Sequence, residues 1–324
     1  MIKRMTTLAA SLMLAASFGA HAADTDYPTK PIHFIVATAA GGASDIVARI
    51  VADKMQQSLG QPVVVEPKAG ANGNIAAEHV ARSDPDGYTI MMGTIGVMAI
   101  NPLIYKDVRF NPLRDFTPVA RLVSFSNILV VNPQLPIHSV KELIDYAKKH
   151  PGDLHYGSPG VGGSPHMASL VFGQMAGIDI VHAPYKGAAL ALNDLMGGHI
   201  EMAFSDPLVT LPQIRAGKVR ALAVSGEERL ESEPSIPTVA EAGVPGYAVS
   251  GWLGIVAPTG TPPAIVAKLH KAANDALAMP EVRKKLVDLG AAIHPDTVEN
   301  FGAYIKSEND RWKKVIADAK LELN

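Results

Sequence analysis

Short apolar runs alternate along the chain with stretches of helical period. Ile32-His33-Phe34-Ile35-Val36 reads as a buried strand, and from Ser44 to Ser58 apolar residues recur at Ile46, Val47, Ile50, Val51 and Met55, one face of a helix. Ala39-Ala40-Gly41-Gly42-Ala43 lies between them, so strand, glycine turn and helix predict the first half of a β-α-β unit. Pro62 to Glu66, Tyr88 to Met92 and Ile128 to Val131 supply further strands. Ser139 to Lys149 predicts a helix, with Ser139 and Glu142 at capping-box spacing.

A second unit of the same kind begins at Leu154-His155-Tyr156. Its loop runs from Gly157 to Ser164 and opens a helix from about Pro165 to Ala176. Strands at Ile180 to Ala183, Met202 to Phe204 and Ala221 to Val224, with a helix at Ala188 to Met196, continue the alternation. Regular alternation predicts an α/β fold of mostly parallel sheets covered by helices. Gly246 to Pro258 then carries Val249, Trp252, Leu253, Ile255 and Val256, and helices follow near Pro262 to Ala278, Glu281 to Leu289 and Thr297 to Ala319. Helices without strands need a sheet to pack on, and the first lobe offers one. The expected organisation is a discontinuous first lobe, 23–124 and 250–324, and a contiguous second lobe, 125–249.

The N-terminus changes the picture of where such a fold operates. Lys3 and Arg4 precede an apolar run from Leu8 to Phe18, and Gly19-Ala20-His21-Ala22 offers small residues at a cleavage site, so 1–22 reads as a secretory signal peptide removed after Ala22. The run is too short for a spanning helix, which needs about 20 residues. The remaining 302 residues of 324 suit two domains. Net charge is −2 from 29 Lys and Arg against 31 Asp and Glu, and basic tracts are lacking, so nucleic acid is not an expected partner. With no cysteine, the chain has neither disulfide nor thiolate chemistry.

Candidate chemistry sits in the loops, because open α/β sheets bind ligands beyond the carboxyl ends of their strands. In the first loop Ala40, Gly41, Gly42, Ala43 and Ser44 bring backbone amides to a helix N-terminus, where they lack intrahelical acceptors and suit an anion. The second loop adds the hydroxyls of Ser158 and Ser164, the backbone at Gly160, and His166 in the first helical turn. Tyr185, Lys186 and Gly187 follow a strand and open another helix, which suits them to line the cleft, although Lys186 reads equally as a solvated surface charge. Ser205 and Asp206 end a strand and carry the same two readings. Each feature also has a plain structural reading: glycine turns close βα units, and an acidic residue in a first turn favours the helix dipole.

Catalytic patterns are missing. Gly157-Ser158-Pro159-Gly160 does not have nucleophile-elbow spacing, Gly160 to Pro165 lacks the last glycine of a dinucleotide fingerprint, and no phosphate loop occurs. His199-Ile200-Glu201 resembles the start of a zinc deaminase motif, but the cysteines that motif needs are absent. None of the 11 histidines has H-E-x-x-H spacing. No enzymatic activity, cofactor or metal is expected.

At these residues the sequence resembles the solute receptors of tripartite tricarboxylate transporters, often called Bug receptors. The resembling stretches include Ile32 to Val36 leading to Gly41 to Arg49, Val65 to Gly73, Asp84 to Thr89, Tyr156-Gly157-Ser158, His166, His182 to Gly187 and Pro234 to Thr238. The resemblance implies a type II periplasmic-binding-protein fold, a small carboxylate held between the two lobes by both glycine loops, and delivery to a large and a small membrane subunit of a permease. It also adds Thr94 as a ligand-binding candidate and implies a monomer. Two alternatives remain at this point: a periplasmic enzyme acting on a small acid, and a receptor that signals to a membrane sensor. Ala37-Thr38-Ala39-Ala40 stands where the family loop carries prolines and an aromatic, which implies a wider first-lobe pocket.

Overall fold

The computed structural model describes residues 26–318, so the expected leader and its cleavage site lie outside the described residues. From the N-terminal side the elements are β1 (Ile32–Val36), α1 (Ala43–Leu59), β2 (Val63–Pro67), α2 (Asn74–Ala81) and β3 (Thr89–Thr94). A π-helical turn at Gly96–Ile100 runs into α3 (Asn101–Ile104), and β4 (Phe116–Ser126) follows. The middle of the chain forms β5 (Ile128–Val131), α4 (Val140–Lys149), β6 (Leu154–Ser158), α5 (Ser164–Ala176), β7 (Ile180–Pro184), α6 (Ala188–Gly197), β8 (Met202–Ser205), α7 (Pro207–Arg215) and β9 (Arg220–Val224). The last part holds β10 (Ser250–Pro258), α8 (Pro263–Ala278), α9 (Pro280–Asp288), β11 (Ala291–Ile293) and α10 (Val298–Asp318).

These strands make two sheets, ordered β11-β4-β10-β3-β1-β2 and β7-β6-β8-β5-β9. The expectation of mostly parallel sheets is corrected to mixed ones. β1 runs parallel to β2 and β3, and β6 runs parallel to β7 and β8, whereas β10 is antiparallel to β3 and β4, β11 to β4, and β5 to β8 and β9. Parallel pairing needs a crossover between strands. The long strands β4 and β10 instead lie side by side in the first sheet, run in opposite directions and pair with each other. β4, β11 and the strand character of Ser250–Pro258 were not expected, because Pro118, Arg121, Gly251 and Gly254 interrupt the apolar pattern.

Local chemistry explains the helices that frame the cleft. α1 buries Val47, Ala48, Val51, Ala52, Met55 and Leu59 at helical spacing, and Gly60, at φ 70°, closes it by donating its N–H to Gln56 O at 3.0 Å. α4 has the expected cap, with Glu142 N–H donating to Ser139 Oγ at 3.2 Å. α10 packs Phe301, Ile305 and Trp312 into the first core, and Phe301 meets Trp252 edge-on at 5.7 Å. Trp252 Nε1 donates to Glu308 Oε2 at 3.2 Å, which fixes the indole between sheet and helix.

Asn127 alone separates β4 from β5, so one nearly continuous extended segment passes from the first sheet to the second. Ser225 N–H donates to Asn127 O at 2.8 Å, and Val249 N–H donates to Ser225 O at 2.7 Å. Three chain segments are thereby tied together at the waist between the sheets. Among the described residues, no helix is long and apolar enough to cross a membrane.

Candidate ligand-binding cleft

A cleft of about 680 Å³ opens between the two sheets, with Trp252, Leu253 and Phe125 among its lining residues. Its first wall is the β1–α1 loop. Gly41 has φ +80°, a conformation that L side chains rarely adopt, and this turns the chain so that Gly42, at φ −77°, serves as the N-cap of α1. The first amide with an intrahelical acceptor is that of Ile46, bonded to Gly42 O at 3.0 Å. The N–H groups of Ala43, Ser44 and Asp45 precede it at the positive end of the helix dipole. Asp45 braces the loop from behind: its Oδ2 accepts from Gly41 N–H at 3.0 Å and from Arg49 Nε at 3.0 Å. Burial pushes the Asp45 carboxyl up, but the bonds from Arg49 and Gly41 outweigh it and hold the group below the usual carboxylate range.

The facing wall is the β6–α5 loop, where Gly160 and Gly162 adopt φ +146° and +88°. Gly163 caps α5, and Met167 N–H is the first with an intrahelical acceptor, Gly163 O at 3.0 Å. Pro165 is the second helical residue and has no N–H, so this turn presents the amides of Ser164 and His166 only. Ser164 contributes a hydroxyl whose one protein contact, to Asn127 Oδ1, is long at 3.5 Å.

Of the sequence candidates, Ala40, Gly41, Gly42, Ala43, Ser44, Thr94, Gly160, Ser164, Tyr185 and Asp206 line this cleft. Three others do not. Ser158 Oγ donates to Gly160 O at 3.0 Å and is hydrogen-bonded to His182 Nε2 at 2.7 Å, so it shapes the loop from behind. His166 Nδ1 accepts from Gly162 N–H at 3.2 Å, and its ring packs 4.3 Å from His182. Burial, with His182 beside it, depresses His166 to about 3, and burial depresses His182 to about 4. A neutral His166 is what an acceptor for Gly162 requires. Ser205 Oγ accepts from Thr210 Oγ1 at 2.6 Å within the first turn of α7.

Two lining candidates have their side chains partly engaged. Thr94 Oγ1 accepts from Val97 N–H at 3.3 Å, and Tyr185 OH donates to Asp194 Oδ2 at 2.7 Å. Lys186 and Gly187 line the cleft beside Tyr185 as the sequence suggested, and the first turn of α6 extends the wall through Ala188, Ala189 and Leu190, which were not foreseen. Ala191 N–H, bonded to Gly187 O at 3.5 Å, is the first with an intrahelical acceptor. Other lining groups were not foreseen either. Thr38 Oγ1 is buried in the wall without a hydrogen-bond partner among the described residues. Asn72, at φ +49°, bonds Asn101 Oδ1 through Nδ2 at 2.9 Å and reaches the opposite loop, where a Cβ on Gly162 would lie 3.0 Å from it. Tyr105 OH donates across the cleft to Val161 O at 2.9 Å.

The electrostatics follow from these placements. Three helix N-termini, those of α1, α5 and α6, end at the cleft, and among the described residues its only charged lining residues are Lys186, which is exposed, and Asp206. Fixed amide dipoles dominate the positive side of the cleft, with small side chains around them. No group of three or more His, Asp or Glu suited to a metal occurs among the described residues.

Comparison with known proteins agrees with this geometry. The family described as tripartite tricarboxylate transporter family receptor matches residues 47–321. Rpa4515 of R. palustris, solved with adipate, is 36% identical with a TM-score of 0.88, covering 91% of this chain and 98% of that one. The periplasmic binding protein BugD is 34% identical with a TM-score of 0.87 over 91% and 99% of the two chains. MatC from Rhodopseudomonas palustris with bound malate is 33% identical, with a TM-score of 0.85 over 90% and 100%. The matched family is one of receptors and not of enzymes, which removes the enzymatic alternative. By sequence and by fold, the chain belongs to the tripartite tricarboxylate transporter receptor family.

Proposed function

We propose that this protein is a periplasmic receptor that captures a small organic carboxylate in the interlobe cleft and delivers it to the large and small membrane subunits of a tripartite permease. The observation that carries the reading is the convergence of three helix N-termini on a cleft almost free of charged side chains. Backbone amides of Ala43 and Ser44 on one side, and the amide and hydroxyl of Ser164 on the other, would hold the carboxylate, with Gly160, Thr94 and Tyr185 around it. The lobes that close on it are 23–124 with 250–324, and 125–249. Adipate in Rpa4515 and malate in MatC support the ligand class.

Thermal-shift screening of refolded, ligand-stripped protein against mono-, di- and tricarboxylates tests the reading. A ligand present at 100 times its Kd adds about 2.7 kcal/mol of stability and raises the melting temperature. No shift with any carboxylate, while an uncharged solute gives one, overturns it. Intact-mass measurement of exported protein checks the leader, with Ala23 as the expected first residue. Uptake of the bound acid by cells carrying the two membrane subunits, lost when the receptor is deleted, checks delivery.

A further inference from the structure

Asp206 occupies an unusual position in this cleft. It is 8% exposed, lines the ligand space, and its Oδ1 has no hydrogen-bond partner among the described residues. It precedes Pro207 as the N-cap of α7, yet its side chain makes no capping bond. It forms no salt bridge among the described residues either, unlike Asp45, whose carboxylate is held by Arg49. A buried carboxylate without a donor is costly, and the cost falls when a binding partner supplies one.

We propose that Asp206 accepts a hydrogen bond from the ligand, so that the solute carries a donor, a hydroxyl or ammonium group, in addition to its carboxylate. The inference rests on the carboxylate-receptor reading and narrows it. The helix N-termini of α1, α5 and α6 supply the anion-binding part of the cleft, and Asp206 supplies an acceptor in the same space. A solute with carboxylates only would bring negative charge against Asp206 and offer it no donor. A donor-bearing solute satisfies both parts at once. Burial raises the Asp206 carboxyl to about 7, which is the cost of holding its charge without a donor.

Calorimetry on ligand-stripped protein at pH 8 tests this with matched acids: propionate, lactate and alanine; succinate, malate and aspartate; glutarate, 2-hydroxyglutarate and glutamate; benzoate and 4-hydroxybenzoate. Within the set that binds, the donor-bearing member is expected to bind at least about tenfold more tightly than the unsubstituted acid. Asp206→Ala should reduce that advantage to about threefold or less. Asp206→Asn, which keeps an acceptor but no charge, should preserve part of a hydroxyl's advantage and lose most of an ammonium's. Circular dichroism and melting curves establish that both variants fold. If the unsubstituted acid binds as tightly as its partner in the parent, and Asp206→Asn leaves its affinity unchanged or improves it, the inference is wrong and Asp206 at most repels. If none of the acids binds, the carboxylate reading fails and this inference fails with it.

Discussion

The two glycine loops that face each other across the cleft look alike in sequence and are braced in different ways. The first is held by a charged pair: Asp45 receives the Gly41 amide and is itself held by Arg49. The second is held by neutral groups, with Ser158, His166 and His182 packed behind Gly160 and Gly162. Three first-turn amides stand free of intrahelical acceptors at the first loop, against two amides and a hydroxyl at the second, where Pro165 removes one. The same sequence motif thus presents free amides on either side, but behind braces of different chemistry, so the two walls are expected to respond differently to pH and to substitution.

The largest expected difference is with acid. An unfolded histidine takes up a proton below about 6.5, whereas His166 stays neutral in the fold down to about 3. At this group the unfolded state therefore binds more protons between these values. The His166 contribution to stability is lost as pH drops from about 6.5, by roughly 3 kcal/mol at pH 4, and His182, held to about 4, adds in the same direction. Asp45, held below its ordinary value, keeps its charge and its pair through that window. Hydrogen exchange should show the second loop opening between pH 6.5 and 4 while the first stays protected. His166→Phe should flatten the slope, at the cost of an unpaired Gly162 amide. A first loop that opens together with the second would erase the distinction.

Asp206 works against that slope and has to be separated from it. Its carboxyl is raised to about 7, so the folded state binds more protons than the unfolded one between about 4 and 7, and stability falls as pH rises through that range. Asp206→Asn should therefore stabilise the ligand-free protein at pH 8 by roughly 4 kcal/mol and change little at pH 4. Chemical denaturation at both values measures it. Equal effects at the two pH values would mean that Asp206 is charged and paired in the fold.

Within the first loop, the two glycines are not equivalent. Gly41→Ala forces a Cβ into φ +80° and should cost about 1–2 kcal/mol of stability and weaken ligand binding in parallel. Gly42→Ala has an ordinary φ of −77°, and its Cβ would rest 3.4 Å from Ala39 O and Thr38 Oγ1, so its stability cost should stay below about 0.5 kcal/mol. Melting temperatures rank the pair, and the reverse order would contradict the loop geometry.

The smallest effects compare the hydroxyls. Ser164→Ala should weaken binding of a carboxylate by about 1 kcal/mol, since its hydroxyl has only a long contact within the protein. Ser44→Ala, which leaves every amide of the α1 turn in place, should cost about half as much or less. Calorimetry on both variants sharpens the contrast between a wall of amides and a wall that relies on a side chain.

Periodicity and turn chemistry along the chain were enough for β1, α1, α4, α5 and the two glycine loops, because those features depend on contacts within a few residues. Gly41 to Ser44 and Gly160 to Ser164 could be named for the same reason: a helix N-terminus exposes its amides wherever it stands. The tertiary structure decided the rest. β4 and β10 became strands despite Pro118, Arg121, Gly251 and Gly254 because each pairs with the other across the sheet. Ser158, His166 and Ser205 turned out to stand behind the wall, while Thr38, Asn72 and the α6 turn came to form it. Chain order specifies which groups can make a local hydrogen bond, but whether Asp206 finds a partner, or is buried without one, depends on residues far away in sequence that fold around it.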